Sequence, residues 1–285
     1  MIDVNTKLVA LLGKPVKHSL SPLIHNKAFQ KLNLNYYYFP IEIGKRNLTK
    51  VIEGIRYMNF AGFNVTKPNK MKVTDYLDEI KGIAGKIGAV NTVKKEGKNL
   101  IGYNTDGVGF IKSLNKNINL NIEKKKFVLL GAGGAGRVIA FALAKRKAEK
   151  IYIFARSQKS SQNLVEKVNE NFHRCAVSMA LNNNNLKDAM KNCDMIINAT
   201  GVGMYPEVDK SPIDTSLLHN DLIVYDLIYK PLRTKFLKDA EKIGCYTING
   251  LEMLIYQGAE AFKLWTGQEA PVGEMKSTVL DFINE

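Results

Sequence analysis

The sequence predicts an α/β protein of two domains, the second a doubly wound parallel sheet of the Rossmann type. Three observations predict it. Short apolar runs alternate with amphipathic stretches from end to end, the pattern of strands and helices in turn. GAGGAG at 131–136 stands between a strand-like run and a helix-like one. The 285 residues exceed one domain of ordinary size.

The elements follow in order. KLVALLG (7–13) reads as a strand. Ser21-Pro22 opens a helix through about Asn33, with Ser as N-cap and Pro at the first helical position. YYYFPIEI (36–43) is rich in β-formers, a helix follows near 47–57, and FAGFNVT (60–66) is the next strand. A helix is expected near 69–80. GAVNTVKKEGKNLIGYN (88–104) reads as a hairpin turning at Glu96-Gly97. The second block starts near Thr105. Its strands are KKFVLLG (125–131), IYIFAR (151–156), CAVSMA (175–180), DMIINAT (194–200) and LIVYDLIY (222–229). Helices lie between them near 134–146, 159–171 and 186–191. Two helices, about 251–265 and 271–283, close the chain and can pack on either block.

Composition narrows the function classes. Lys plus Arg number 41 against 27 acids, a formal net charge of +14. The basic residues are spread out, and no RNP signature, zinc-finger spacing or basic heptad region is present, so a nucleic-acid partner is not expected. No window approaches the ~20 apolar residues of a membrane span. The N-terminal apolar run is a strand and not a signal peptide. Three scattered cysteines make neither a disulfide framework nor a metal site. These features suit a reducing, cytoplasmic setting.

GAGGAG fits G-x-G-x-x-G through Gly131, Gly133 and Gly136. The first glycine makes a tight turn, the second lets the backbone approach a pyrophosphate, and the third lets helix and strand pack closely. The helix N-terminus offers N–H groups and partial positive charge to phosphates. Residues 131–135 (Gly131, Ala132, Gly133, Gly134, Ala135) are the expected cradle. An NAD site usually ends the next strand with an acid. FARSQKS (154–160) has none, and Arg156, Ser157 and Lys159 suit a 2′-phosphate instead, which favours NADP.

The first block must then hold the substrate. FNVTKPNK (63–70) gathers amides, a hydroxyl and ammonium groups at a strand end. Asn64 and Thr66 suit hydroxyls of a polar molecule. Lys70 suits proton transfer to or from a carbonyl or alcohol oxygen as hydride moves. Ser19 and Ser21 in KHSLSP lie at a helix N-terminus, a place for a carboxylate. Asn91 ends GAVN, and Asp106 in YNTDG can hold the Lys70 ammonium. His18 and His25 read as structural, and no metal is expected.

Taken in order, GKPVKHSLSPLIHN (13–26), NVTKPNK (64–70), GAVNT (88–92), GYNTDG (102–107), GAGGAG (131–136), NATGVGM (198–204), YDLIYKP (225–231) and NGLEMLIYQGA (249–259) resemble the shikimate dehydrogenases over nearly the whole chain. The resemblance implies NADPH-dependent reduction of 3-dehydroshikimate to shikimate, on the route to the aromatic amino acids. It implies a catalytic Lys70 paired with Asp106, and a carboxylate held by Ser19 and Ser21 with Tyr229 nearby. Asn64, Thr66, Asn91, Asp106 and Gln257 would bind the ring hydroxyls, and Leu227 and Gly250 would border the nicotinamide. It also implies that the closing helices return to the first domain, giving 1–104 with 250–285 as the substrate domain and 105–249 as the NADP domain, in a monomer or homodimer whose domains close during turnover.

One motif departs from the family. NADP-using members usually carry N-R-T-x-x-R or K in the phosphate loop. Here Ala155 replaces the Asn, Ser157 the Thr, and Ser160 the last basic residue, with Lys159 one place early and Arg156 intact. The nearest alternative is an NAD-using quinate/shikimate dehydrogenase, and quinate activity stays open. A non-catalytic NADP sensor would have no use for Lys70 with Asp106.

Overall fold

The computed structural model describes residues 2–284, which fall into two compact units. One runs from the start of the described chain to Gly109 and resumes at Ile255; the other is Phe110–Leu254.

In the first unit the strands are β1 (Lys7–Gly13), β2 (Tyr36–Glu42), β3 (Phe60–Val65), β4 (Glu79–Ile80), β5 (Thr92–Glu96) and β6 (Asn99–Tyr103). They form one sheet in the order β2-β1-β3-β5-β6-β4. The β1 strand runs parallel to both β2 and β3, whereas β5 is antiparallel to β3 and β6. All six residues of β3 are buried, as a central strand covered on both faces requires. Helices α1 (Ser21–Lys31), α2 (Leu48–Tyr57) and α3 (Ala84–Ile87) complete the N-terminal part, and α4 (Asp106–Asn117) starts in this unit and continues into the second. Leu12, Ile52, Phe63, Val65, Val73, Val93 and Leu100 share one core cluster. Each such side chain contributes roughly 1.5–3 kcal/mol by leaving water. This rigid floor holds up the polar ends of β1, β3 and β5.

The second unit alternates strand and helix: β7 (Lys126–Leu130), α5 (Gly134–Lys145), β8 (Lys150–Phe154), α6 (Gln158–Asn171), β9 (Ala176–Met179), α7 (Asn183–Met190), β10 (Met195–Asn198), β11 (Ile223–Asp226), α8 (Lys235–Ile243) and β12 (Tyr246–Ile248). The sheet is parallel throughout, in the order β9-β8-β7-β10-β11-β12. By order of occurrence that is 3-2-1-4-5-6, the Rossmann arrangement, with its switch point between β7 and β10. Helix α9 (Leu251–Thr266) starts in the second unit and ends in the first, where α10 (Val272–Asn284) also lies.

Four expectations are corrected. The helix near 69–80 is a single 3₁₀ turn, Lys72–Tyr76, followed by β4. Val73 and Thr74 are β-branched, and the Thr74 and Asp75 side chains make short local hydrogen bonds that compete with a helix. Helix α1 stops at Lys31, and Asn33 takes a left-handed φ of 50°. Ser21 is the first helical residue and not the cap: Leu20 holds the N-cap position, and Ser19 Oγ accepts from the Ser21 N–H at 3.3 Å. The run 222–229 pairs only over Ile223–Asp226. The elements α3, α4, α8 and β12 went unread in the sequence: α3 and β12 are very short, whereas α4 and α8 are amphipathic, α8 burying Phe236, Leu237 and Ala240 on one face.

Candidate active site

The polar cluster of the first unit is built on strand ends. Lys70 follows β3, and the chain between is stitched by Thr66 N to Leu12 O and Asn69 N to Thr66 O, both 2.9 Å. Lys70 Nζ lies 2.5 Å from Asp106 Oδ2. Their side chains are 20% and 8% exposed, so the pair is largely withdrawn from the screening that weakens surface ion pairs. Asp106 opens α4, where its N–H donates to Asn104 Oδ1 at 3.1 Å. Its second carboxylate oxygen accepts from Asn91 Nδ2 at 2.7 Å. Asn91 also donates to Thr105 Oγ1 at 2.9 Å and accepts from Thr105 N at 2.8 Å. The Asn91 amide is therefore a bracket for the aspartate.

The hydrogen bonds continue across the sheet. Thr92 Oγ1 donates to Asn91 Oδ1 and accepts from Asn64 Nδ2, both at 3.0 Å. Asn64 Nδ2 also donates to the Asn91 carbonyl at 3.0 Å. The Tyr38 hydroxyl donates to Asn64 Oδ1 at 2.9 Å. The chain of bonds thus ties Lys70, Asp106, Asn91 and Asn64 into one unit. The Ser21 side chain lies beside the Tyr38 phenol, and Ser19 Oγ accepts from the Ser21 N–H. The Thr66 hydroxyl takes no part. Gln257 is half-buried on the part of α9 that belongs to this unit.

Among the sequence-predicted residues, His25 is as inert as expected. It is fully buried, stacked on Tyr38 with centroids 4.7 Å apart, and neither ring nitrogen has a hydrogen-bond partner. Burial pushes its pKa down to about 3, so the ring is neutral. Among the described residues no group of three His, Cys, Asp or Glu is gathered that could hold a metal ion.

The second unit carries the glycine loop at the C-terminal end of β7. Gly131 has φ +106°, a conformation that side-chain-bearing residues rarely adopt. A Cβ on Gly136 would lie 2.0 Å from the Gly131 carbonyl oxygen, so α5 packs on the loop only because that position is glycine. At Gly133 nothing lies within 4 Å of where a Cβ would be, which leaves the backbone open to a ligand. Gly133 is also the N-cap of α5 and has no side chain to satisfy the first N–H groups. This cradle fits a pyrophosphate. Ala132 is buried; Gly134 and Ala135 are half-buried. Arg137, on the same first turn, is buried and was missed in the sequence; desolvation lowers its pKa.

Arg156 and Lys159 stand exposed just past β8, at the start of α6. Ser157 is the N-cap of α6, its Oγ accepting from Ser160 N at 3.3 Å. Two cations and a helix N-terminus, with no acid in 154–160, suit a 2′-phosphate.

Beyond β10 and β11 lies a second hub that sequence reasoning missed. Asp226, wholly buried, accepts from Thr234 Oγ1 at 2.7 Å, Asn198 Nδ2 at 3.0 Å and Ile228 N at 3.1 Å. Burial raises its pKa to about 6 against those bonds. Asn198 in turn accepts from Thr200 N and Oγ1. The hub fixes the loops that carry Leu227, Tyr229 and Gly250. Leu227 N bonds to Asn198 O, Gly250 N to Ile228 O, and a Cβ on Gly250 would lie 2.0 Å from Leu227 O. Tyr229 is half-buried, and desolvation raises its pKa. The signal available was a polar residue ending each of two apolar strands, in DMIIN and IVYD.

Comparison with known proteins gives a consistent set of relatives. Residues 11–93 match the shikimate dehydrogenase substrate binding domain, residues 113–229 the shikimate/quinate 5-dehydrogenase family, and residues 250–280 the shikimate 5′-dehydrogenase C-terminal domain. The chain is 45% identical over 277 residues to the shikimate dehydrogenase (NADP(+)) of Alkaliphilus metalliredigens, covering 96% of each chain. Its fold is similar to a crystal structure of a shikimate dehydrogenase in complex with NADP⁺, with TM-score 0.93, 43% identity and coverage of 100% of this chain and 98% of that one. It is also similar to shikimate 5-dehydrogenase from Listeria monocytogenes in complex with shikimate and NAD, with TM-score 0.90, 38% identity and 98% of each chain covered.

Proposed function

This chain belongs to the shikimate dehydrogenase family, and on that premise we propose that it catalyses the reversible NADPH-dependent reduction of 3-dehydroshikimate to shikimate, a step toward the aromatic amino acids. The observation that carries the reading is the Lys70–Asp106 pair at 2.5 Å, withdrawn from solvent and set in a network of neutral hydroxyl and amide groups. A protein that only bound the dinucleotide would need no such pair.

When bound, NADPH supplies a hydride to the carbonyl carbon. Negative charge then grows on the carbonyl oxygen, and the Lys70 ammonium gives it a charge-assisted hydrogen bond and then a proton, completing the alcohol. In oxidation Lys70 takes that proton. Asp106 keeps the ammonium in place, and Asn91 keeps Asp106 in place. Ser19 and Ser21 hold the substrate carboxylate with Tyr229, while Asn64, Thr66, Asn91, Asp106 and Gln257 serve the ring hydroxyls. Residues 131–135 cradle the pyrophosphate, Arg156, Ser157 and Lys159 take the 2′-phosphate, and Leu227 and Gly250 border the nicotinamide. Fixing both reactants contributes up to ~7–11 kcal/mol of the barrier reduction.

The working form is a monomer or homodimer in the cytoplasm, acting on small molecules and not on nucleic acid. The three cysteines stand as buried free thiols, in keeping with a reducing compartment. No helix among the described residues is long and apolar enough to cross a membrane. Four initial rates test the reading: NADP⁺ and NAD⁺, each with shikimate and with quinate. Shikimate with NADP⁺ is expected to be fastest. Quinate with NAD⁺ outrunning it would make the chain a quinate/shikimate dehydrogenase, and no turnover in any pair would make it a binding protein.

A further inference from the structure

Tyr38 belongs to none of the motifs above, yet it holds one of the proposed substrate ligands, Asn64. It lies within β2, is 1% exposed, and its hydroxyl donates to Asn64 Oδ1 at 2.9 Å. The donor and acceptor arithmetic at Asn64 then closes. Its Nδ2 faces the Asn91 carbonyl, which can only accept, so the amide cannot be turned the other way. Both amide hydrogens are used, one on Asn91 O and one on Thr92 Oγ1. What remains to Asn64 is one lone pair on Oδ1. It can accept from a substrate O–H, and it has nothing to donate to a carbonyl or ether oxygen at that ring position.

Tyr38 is itself held on several sides. The His25 ring stacks on it, with centroids 4.7 Å apart and planes 14° from parallel. The Asn26 amide grips its backbone twice, Nδ2 donating to Tyr38 O at 2.8 Å and Oδ1 accepting from Tyr38 N at 2.7 Å. Trp265 covers another edge at 6.1 Å. Burial raises the phenol's pKa above its ordinary value, so it remains a proton donor at working pH. The Ser21 side chain lies beside the same phenol.

We propose that Tyr38 is a positioning residue for substrate recognition: its phenol fixes the Asn64 amide as an acceptor for a substrate hydroxyl. The proposal rests on the reading of Asn64 as a substrate ligand.

The test uses the full chain as Tyr38→Phe, Asn64→Ala and the double variant. Tyr38→Phe keeps the ring and its stacking and removes one oxygen. Loss of a single neutral hydrogen bond predicts a KM for shikimate raised roughly two- to tenfold. The expected kcat and KM for NADPH are unchanged, and in the Asn64→Ala background Tyr38→Phe adds no further rise. An unchanged KM for shikimate, an additive rise in the double variant, or a parallel rise in the KM for NADPH would each overturn the proposal. If Asn64→Ala leaves the KM for shikimate alone, the ligand reading fails; if it raises KM and Tyr38→Phe does not, only the positioning role fails. Fluorescence of Trp265, the single tryptophan, reports folding of each variant. Should Tyr38→Phe not fold, Tyr38→Met fills the same space flexibly and carries the same KM and coupling readout.

Discussion

Asn91 donates to Asp106 at 2.7 Å, to the carboxylate oxygen that Lys70 does not use. Lys70 and Asn91 therefore hold the two oxygens of one carboxylate, the amide fixing the group with which the ammonium pairs. Asn91 is itself locked by Thr92 and Thr105. In the proposed mechanism, proton transfer at Lys70 thus depends on a residue that touches its partner Asp106 and not Lys70 itself.

Asn91→Ala is expected to lower kcat about 10- to 100-fold, since small misplacements of a catalytic group have effects of that size. Steady-state kinetics in both directions check this. An unchanged kcat would show that Lys70 alone holds Asp106 well enough.

Arg156→Ala is expected to raise the KM for NADPH about tenfold or more and to leave the KM for NADH nearly unchanged. A charge-assisted hydrogen bond to a phosphate is worth roughly 1.5–3 kcal/mol, and NADH lacks that phosphate. Equal effects on the two cofactors would remove Arg156 from the 2′-phosphate site.

His25 gives a pH dependence whose sign follows from its burial. Its folded pKa is lowered to about 3 from an ordinary 6.5. Between those values the unfolded chain binds a proton that the folded chain does not. The stability linked to His25 is therefore full above pH 6.5 and declines as pH falls toward 3. From pH 7 to pH 5 this amounts to about 2 kcal/mol. His25→Phe should show a flatter change in urea midpoint over that interval, read by Trp265, whose ring lies 5.2 Å from the His25 ring. Asp226 titrates in the opposite sense, since its folded pKa is raised to about 6, but it is common to both proteins and cancels in the comparison. Equal pH dependence of variant and parent would mean that His25 is hydrated or exposed in solution.

Much of the site was legible because its residues break local rules. A glycine triple after an apolar strand has few purposes, and FNVTKPNK carries more polar groups than a turn needs. The pairing of Lys70 with Asp106 crosses 36 positions, and only the order of motifs pointed to it. Tyr38 was hidden for the opposite reason. In YYYFPIEI it reads as one more β-forming aromatic residue, and its phenol matters only because β2 and β3 flank β1 in the sheet. Asp226 was hidden likewise, a polar residue ending a strand whose partners lie 28 positions back and 8 ahead. The helix expected over 69–80 failed because side-chain bonds within 71–75 outweighed a weak apolar period.

The central claim is that the amine of residue 70 moves the proton. Steady-state kinetics of Lys70→Ala with shikimate and NADP⁺ test it most directly. The account predicts a kcat lower by about 10²- to 10⁴-fold, the usual contribution of a general acid or base, with the KM for shikimate changed no more than a few-fold. A variant that keeps most of its turnover would contradict it.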